Sequence, residues 1–263
     1  MWRSLLKTVA RRAGYDIVRR PADIDPAVLV TVSAVRSYTR TTAARVVALC
    51  EAVKYLCDAG IDGDIVECGV WRGGSMLAAA RTLVENGDRT RTLWLYDTYE
   101  GMPDPTAVDR RAVDGAHAST LLADERRRDQ VLAAAGLPAV ERTMGLSGYP
   151  SEQIMYVAGR VEDTIPRTVP ASIALLRLDT DWYESTRHEL EHLVPLMTPG
   201  AVLIVDDYGH WEGSRRAVDE FMHATRPPIL LHRIDYAARI GILAAPLRST
   251  TSMRAIEPAL PRR

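Results

Sequence analysis

Four aspartates stand in two short bursts, Asp179 and Asp181 in LLRLDTDWYEST and Asp206 and Asp207 in AVLIVDDYGHW. Each burst follows an apolar run of the kind that forms a buried parallel strand. In an open α/β sheet, ligands bind in the crevice beyond the carboxyl ends of the strands. The two bursts can therefore meet in space although 27 positions separate Asp179 from Asp206. Carboxylates crowded into one crevice repel each other unless a cation or a shared proton relieves them. A hard divalent ion is the expected partner. Magnesium prefers oxygen ligands in octahedral geometry and keeps several waters, which leaves positions for two adjacent hydroxyls of an acceptor. No Cys or His cluster competes for a softer metal. His188 and His192 are spaced i, i+4, but their helix leads away from the acidic turn, and a packing role is expected of them. Trp182, Tyr183, Tyr208 and Trp211 flank the acidic turns, where aromatic faces can either stack on a ligand's ring or fill the core.

A second chemical signal lies upstream in DIVECGVWRGGSM. Gly69, Gly73 and Gly74 let a strand-to-helix turn bring backbone close to a ligand, and Ser75 is placed to cap the helix that follows. The spacing is not the GxGxxG of a dinucleotide pyrophosphate site. Glu67 would repel a pyrophosphate but suits the ammonium of an amino acid. Asp97 ends the next apolar run, where an acidic residue accepts hydrogen bonds from ribose hydroxyls. A ligand with a nucleoside at one end and an amino acid at the other is S-adenosyl-L-methionine.

The elements that must position these groups alternate along the chain. A helix is expected from Thr41 to Gly60, then a strand over 64–70, a helix over 75–86 and a strand over 92–97. Residues 102–150 form an excursion, a lid with Gly101 and Pro103 as punctuation, containing a helical patch over 123–136. Strands at 155–160, 172–179 and 201–207 alternate with helices at 183–197 and 214–225, and 229–235 and 238–245 form a final antiparallel pair. This order predicts an α/β, doubly wound, mostly parallel sheet. Residues 1–35 form an N-terminal helical appendage, 36–246 the main domain, and 247–263 a tail.

Composition sets the outer bounds. The chain has 263 residues with a net charge of -1, which offers no field for nucleic acid or an anionic membrane. Among 33 basic residues only Lys7 and Lys54 are lysine, a skew read as codon bias. Cys50, Cys57 and Cys68, an odd count without CxxC, fit reduced thiols in a cytoplasmic protein. No apolar run reaches membrane-span length. The first twenty residues are basic without a signal-peptide core. They suit a peripheral helix, or less favourably a membrane-surface one.

Five segments, VECGVWRGGS, YDTYEGMP, GRVEDTIP, LRLDTDWYEST and VDDYGHWEGSRRAVDEF, occur in order with sensible spacing. From about Tyr38 to Gly241 the chain resembles the macrocin O-methyltransferase (TylF-type) family. The resemblance implies a class I methyltransferase (Rossmann-like) fold, S-adenosyl-L-methionine, Mg2+, and a sugar hydroxyl on a small-molecule glycoside or glycolipid as acceptor. By the same resemblance Asp179, Asp206 and Asp207 are the metal ligands, and Asp181 is the general base. A role for Asp181 in orienting a ligand, with His210 as the base, stays open. SYTRTTAARVVAL resembles the segment that closes over the cofactor, with Thr39, Thr41 and Thr42 as its polar positions. Arg40 stands where the family more often has methionine. Gly159, Arg160 and Val161 are expected along the adenine edge, with Glu162 and Asp163 capping the next helix. A homodimer is the expected assembly, in which the basic N-terminal segment can complete a neighbour's site. A catechol-type methyltransferase acting on a phenolic diol is the alternative. A nucleotide-binding dehydrogenase and a non-enzymatic scaffold are the readings from other classes.

Overall fold

A computed structural model describes residues 23–249 except 127, 227–228 and 245–247. The expectations for the first twenty residues and for most of the tail lie outside the described residues. The chain forms α1 (Pro26–Val35), α2 (Ala43–Ala59), β1 (Asp64–Cys68), α3 (Gly74–Glu85) and β2 (Leu93–Asp97). The excursion carries α4 (Ala118–Ala123), α5 (Arg128–Val131) and α6 (Leu137–Met144). Then come β3 (Ile154–Ala158), α7 (Val161–Thr164), β4 (Ile173–Leu178), α8 (Tyr183–Leu193), β5 (Met197–Val205) and α9 (Glu212–Ala224). Four short strands follow: β6 (Thr225–Arg226), β7 (His232–Arg233), β8 (Arg239–Ile242) and β9 (Arg248–Ser249).

The main sheet runs β3-β2-β1-β4-β5-β8-β7. Its first five strands are parallel, while β8 runs antiparallel to β5 and β7 antiparallel to β8. This is the doubly wound, mostly parallel architecture with a reversed C-terminal strand that the alternation predicts. The strand order turns outward in both directions from β1 and β4, so the crevice opens where their carboxyl ends diverge. One apolar core lies on the face covered by α1, α2, α3 and α6, and a second on the face covered by α8 and α9. The interior strands β1 and β4 are buried along nearly their whole length, as a parallel sheet covered on both sides requires. Cys50, Cys57 and Cys68 are free thiols.

Several local expectations are corrected. Ser75 does not cap α3: Gly73, at φ +83°, is the N-cap, and the helix has already begun at Gly74. The helix expected to reach residue 197 ends at Leu193 in a 3-10 turn, where Pro195 lacks the N–H that would continue it. The patch at 123–136 is not one helix but lies across the separate short helices α4 and α5 and a loop before α6. Asp206 and Asp207 lie just past β5 and not within it, on the turn that faces the crevice.

Candidate active site

The site is best built from β1 and β4, because two charged residues interrupt their apolar runs. Glu67 and Arg177 are register partners on these adjacent strands, and both are buried. A lone buried charge is expensive, and a buried pair persists only when hydrogen bonds satisfy it. Here Arg177 Nη1 donates to Glu67 and to Asp179 Oδ2 (2.8 Å), while Nη2 donates to Asp206 Oδ1 (2.7 Å) and Thr41 Oγ1 (3.1 Å). One guanidinium thus reaches from β1 to the ends of β4 and β5 and to the segment before α2. Arg45, in the first turn of α2, donates to the other oxygen of Asp206 and, through Nε, to Asp235 Oδ2 at 2.7 Å.

Asp179, Asp206 and Asp207 converge so that one oxygen from each lies within 4.8 Å of the others. The inner oxygen of Asp207, Oδ2, is buried with no hydrogen-bond partner. Burial first, and then the neighbouring carboxylates Asp181 and Asp206, hold Asp207 well above the usual carboxylate range. Burial raises Asp179 likewise, with Asp206 and Asp207 adding to the shift against the pull of Arg177. The donor set is all oxygen, the charge is in excess, and one inner oxygen is orphaned. Those three features fit a hard divalent cation.

Asp181 sits in the left-handed region at φ +65°, in the turn between β4 and α8. Trp211 Nε1 donates to its Oδ1 at 2.6 Å. Burial, followed by the nearby Asp179, pushes its carboxyl up to about 8. His210 shares the cavity wall, its Nδ1 3.3 Å from Tyr236 Oη, and burial followed by Arg111 and Arg45 lowers its pKa.

The glycine turn is fixed by the same convergence. A Cβ on Gly69, at φ +84°, would lie 2.1 Å from the carbonyl oxygen of Asp179, so only glycine lets the ends of β1 and β4 approach this closely. Asp97 Oδ2 accepts the N–H groups of Val70 (2.8 Å) and Trp71 (2.9 Å), and Oδ1 accepts that of Tyr99 (2.8 Å). In the described structure Asp97 therefore braces the turn, and it also faces the cavity.

A single cavity of about 290 Å³ joins both regions. Thr39, Thr41, Thr42, Gly69, Ser75, Asp97, Gly159, Arg160 and Val161 lie on its wall together with all four aspartates. Glu67 and Gly73 do not. The Glu67 carboxylate lies behind the wall on Arg177, although its Oε2 is buried without a partner, and burial pushes it up to about 7. Of the four aromatic residues flanking the acidic turns, Trp211 alone lines the cavity. Trp182 is buried edge-on against it at 5.0 Å, while the hydroxyls of Tyr183 and Tyr208 bind Glu220 and Asp219. His188 and His192 bind backbone carbonyls of Ile165 and His188, in keeping with a packing role.

Several wall residues carry no local signal of their place in the site. Glu162 was expected as a helix cap, yet it faces the cavity and accepts from Ser185 Oγ at 2.9 Å. Arg160 Nε lies 3.4 Å from its other oxygen without hydrogen-bond geometry. Tyr236 and Trp71 also line the wall, from a turn and from the glycine loop. Arg177, which is not on the wall but holds its carboxylates, carries a legible signal, a charge inside the apolar run LLRLD.

A family model described as Macrocin-O-methyltransferase (TylF) matches residues 4–240. The chain is 35% identical over 187 residues to the 8-demethyl-8-(2,3-dimethoxy-alpha-L-rhamnosyl)-tetracenomycin-C 4'-O-methyltransferase of Streptomyces olivaceus, covering 70% of this chain and 61% of the relative. It is 35% identical over 161 residues to the demethyldecarbamoylnovobiocin O-methyltransferase of Streptomyces niveus, covering 61% of this chain and 58% of the relative. The chain thus spans about six-tenths of the length of these relatives. Among solved structures, the O-methyltransferase NovP superposes with a TM-score of 0.67 at 30% identity, over 78% of this chain and 81% of that one.

Proposed function

The chain belongs to the macrocin-O-methyltransferase (TylF) family, and on that premise we propose that it methylates a sugar hydroxyl of a glycosylated natural product or glycolipid, with S-adenosyl-L-methionine as methyl donor. The observation that carries this reading is the meeting of Asp179, Asp206 and Asp207 in one cavity with the glycine turn at Gly69.

The donor supplies an electrophilic sulfonium methyl group. Thr39, Thr41, Thr42, Gly69, Ser75, Asp97 and the Gly159–Val161 stretch line the part of the cavity that receives it. Glu67 contributes from behind the wall by holding Arg177, a role different from direct contact with an ammonium group. Asp179, Asp206 and Asp207 would hold Mg2+, which would supply Lewis acidity toward a hydroxyl oxygen. Asp181 accepts the proton of the acceptor hydroxyl, and Trp211 fixes the carboxylate for that task. A base raised toward neutrality is matched to proton abstraction near physiological pH, an effect of roughly 10² to 10⁴ in rate. Alignment of acceptor oxygen and methyl carbon contributes more, about 7–11 kcal/mol for well-oriented reactants. Trp211, Tyr236 and His210 present an aromatic rim at the acidic end of the cavity, suited to the face of a sugar ring.

The test is methyl transfer from labelled donor to a panel of deoxysugar glycosides and catechols, with EDTA and with Mg2+ restored. Turnover of glycosides alone, abolished by EDTA, is the expected result. Turnover of catechols alone moves the acceptor to a phenolic diol, and full activity in EDTA removes the metal.

A further inference from the structure

The residues that bear on the cofactor segment form a connected set, and Thr41, Thr42 and Arg45 among them also line the cavity. The segment Tyr38–Thr42 lies between α1 and α2 and is anchored at three places. At its start, Gly74 N–H donates to the carbonyl of Tyr38 at 3.1 Å, and a Cβ on Gly74 would stand 2.5 Å from that carbonyl. In its middle, Thr41 accepts from Arg177. At its end, Thr42 Oγ1 donates to Asp235 Oδ2 at 2.8 Å and accepts from Arg45 N–H at 3.3 Å as the N-cap of α2.

Arg45 closes this set. Its guanidinium bridges Asp235 and Asp206, two carboxylates that arrive from opposite directions, one from the β7–β8 turn and one from the end of β5. Asp235 in turn shapes its own turn by accepting Ala237 and Ala238 N–H at 2.9 Å each, next to the cavity-lining Tyr236. The Arg45 guanidinium lies 5.5 Å from the Tyr236 ring centroid. The side chains of Arg45 and Asp206 are only 9% and 4% exposed, so the contact is shielded from the screening that makes surface ion pairs weak.

We infer that the Asp235–Arg45–Asp206 bridge is a positioning device. It fixes the segment 38–42 against the acidic centre and the Tyr236 turn, so that cofactor affinity depends on Arg45 and Asp235. The inference rests on the functional reading above, in that the segment is taken to cover the cofactor. Arg45 acts here through Thr42 and Asp206 and is a positioning residue. Arginine is required because its planar fork reaches two acceptors at once, which a lysine ammonium on the same helix turn does not reproduce.

The test is calorimetric titration of S-adenosyl-L-homocysteine into the full-length protein and its R45M, R45K, D235N and R45M/D235N variants, with melting temperatures alongside. D235N keeps the carbonyl oxygen for the turn but removes the charge. The expected result is a loss of about tenfold or more in affinity for R45M and for D235N, with R45K in between. The double variant should be no weaker than the worse single, because both remove one shared contact. If R45M does not fold, D235N decides alone. Unchanged affinity in R45M and D235N, whatever happens to their melting temperatures, overturns the inference, since a packing role alone lowers stability and leaves affinity intact. Additive losses overturn the bridge as a unit. Failure of the unaltered protein to bind the probe overturns the functional reading and this inference with it.

Discussion

Arg177 holds Asp206 from beneath: Nη2 lies 2.7 Å from Oδ1, and the same guanidinium reaches Asp179 and Glu67. A cation is thus already built into the floor of the acidic centre. With Arg45 on the other oxygen of Asp206, it offsets part of the repulsion among the carboxylates and leaves Asp207 Oδ2, which has no hydrogen-bond partner, in need of a further positive partner.

That need predicts metal dependence at single residues. Asp207→Asn and Asp179→Asn should each lower Mg2+ affinity and turnover by at least tenfold to a hundredfold while the fold persists. Isothermal titration with Mg2+ checks this directly, and unchanged metal affinity in both variants would remove Mg2+ from the site.

The division of labour between Asp181 and His210 is separable by kinetics. Asp181→Asn should reduce kcat by roughly 10² to 10⁴ with S-adenosyl-L-homocysteine affinity retained. His210→Gln should remain within about tenfold of the parent, since burial and the neighbouring guanidiniums of Arg111 and Arg45 outweigh the pull of Asp114 and Asp206 and disfavour its protonated form. The reverse pattern would make His210 the base.

Trp211→Phe keeps an aromatic ring but deletes the indole N–H donated to Asp181. That hydrogen bond favours the charged carboxylate, so its loss raises the pKa of Asp181 further. The acid limb of the kcat/KM profile should move to higher pH, by about one unit if the bond contributes about 1.4 kcal/mol. A limb that stays in place separates Trp211 from the titration of the base.

Stability should depend on pH in a direction set by the crowded carboxylates. Asp181 titrates from the ordinary value of 3.8 when unfolded to about 8 when folded, and Asp179 and Asp207 are raised in the same sense. Below about pH 4 both states hold these protons. Between there and about pH 8 the unfolded chain has released protons that the folded chain retains, and folding stability falls as pH rises through that window. Melting curves from pH 5 to 9 in EDTA should show this decline. Mg2+ should reverse it most at the alkaline end, because it binds the deprotonated folded site.

Gly69→Ala places a methyl group 2.1 Å from a backbone oxygen in a left-handed conformation. Neither strand can retreat without breaking the sheet, so a loss of several kcal/mol in chemical denaturation is expected. A near-neutral effect would mean that the turn adjusts freely.

The sheet and its polarity are legible in the sequence, because β1 and β4 are largely apolar runs and their alternation with helices admits few topologies. The sequence also located the four aspartates at strand ends, since carboxylates directly after buried strands have only the crevice to occupy. The roles of Arg45, Asp235 and Tyr236 were decided by tertiary structure alone. Asp235 lies 190 positions from Arg45, in a turn between two-residue and four-residue strands, and no local periodicity marks such a contact. Glu67 shows the same limit from the other side. Its place at the end of β1 was legible, but its partner was fixed by the register of β1 against β4, which sets Arg177 beside it. Burial then ties Glu67 to Arg177, because a charge removed from water must be met by an opposite one at hand.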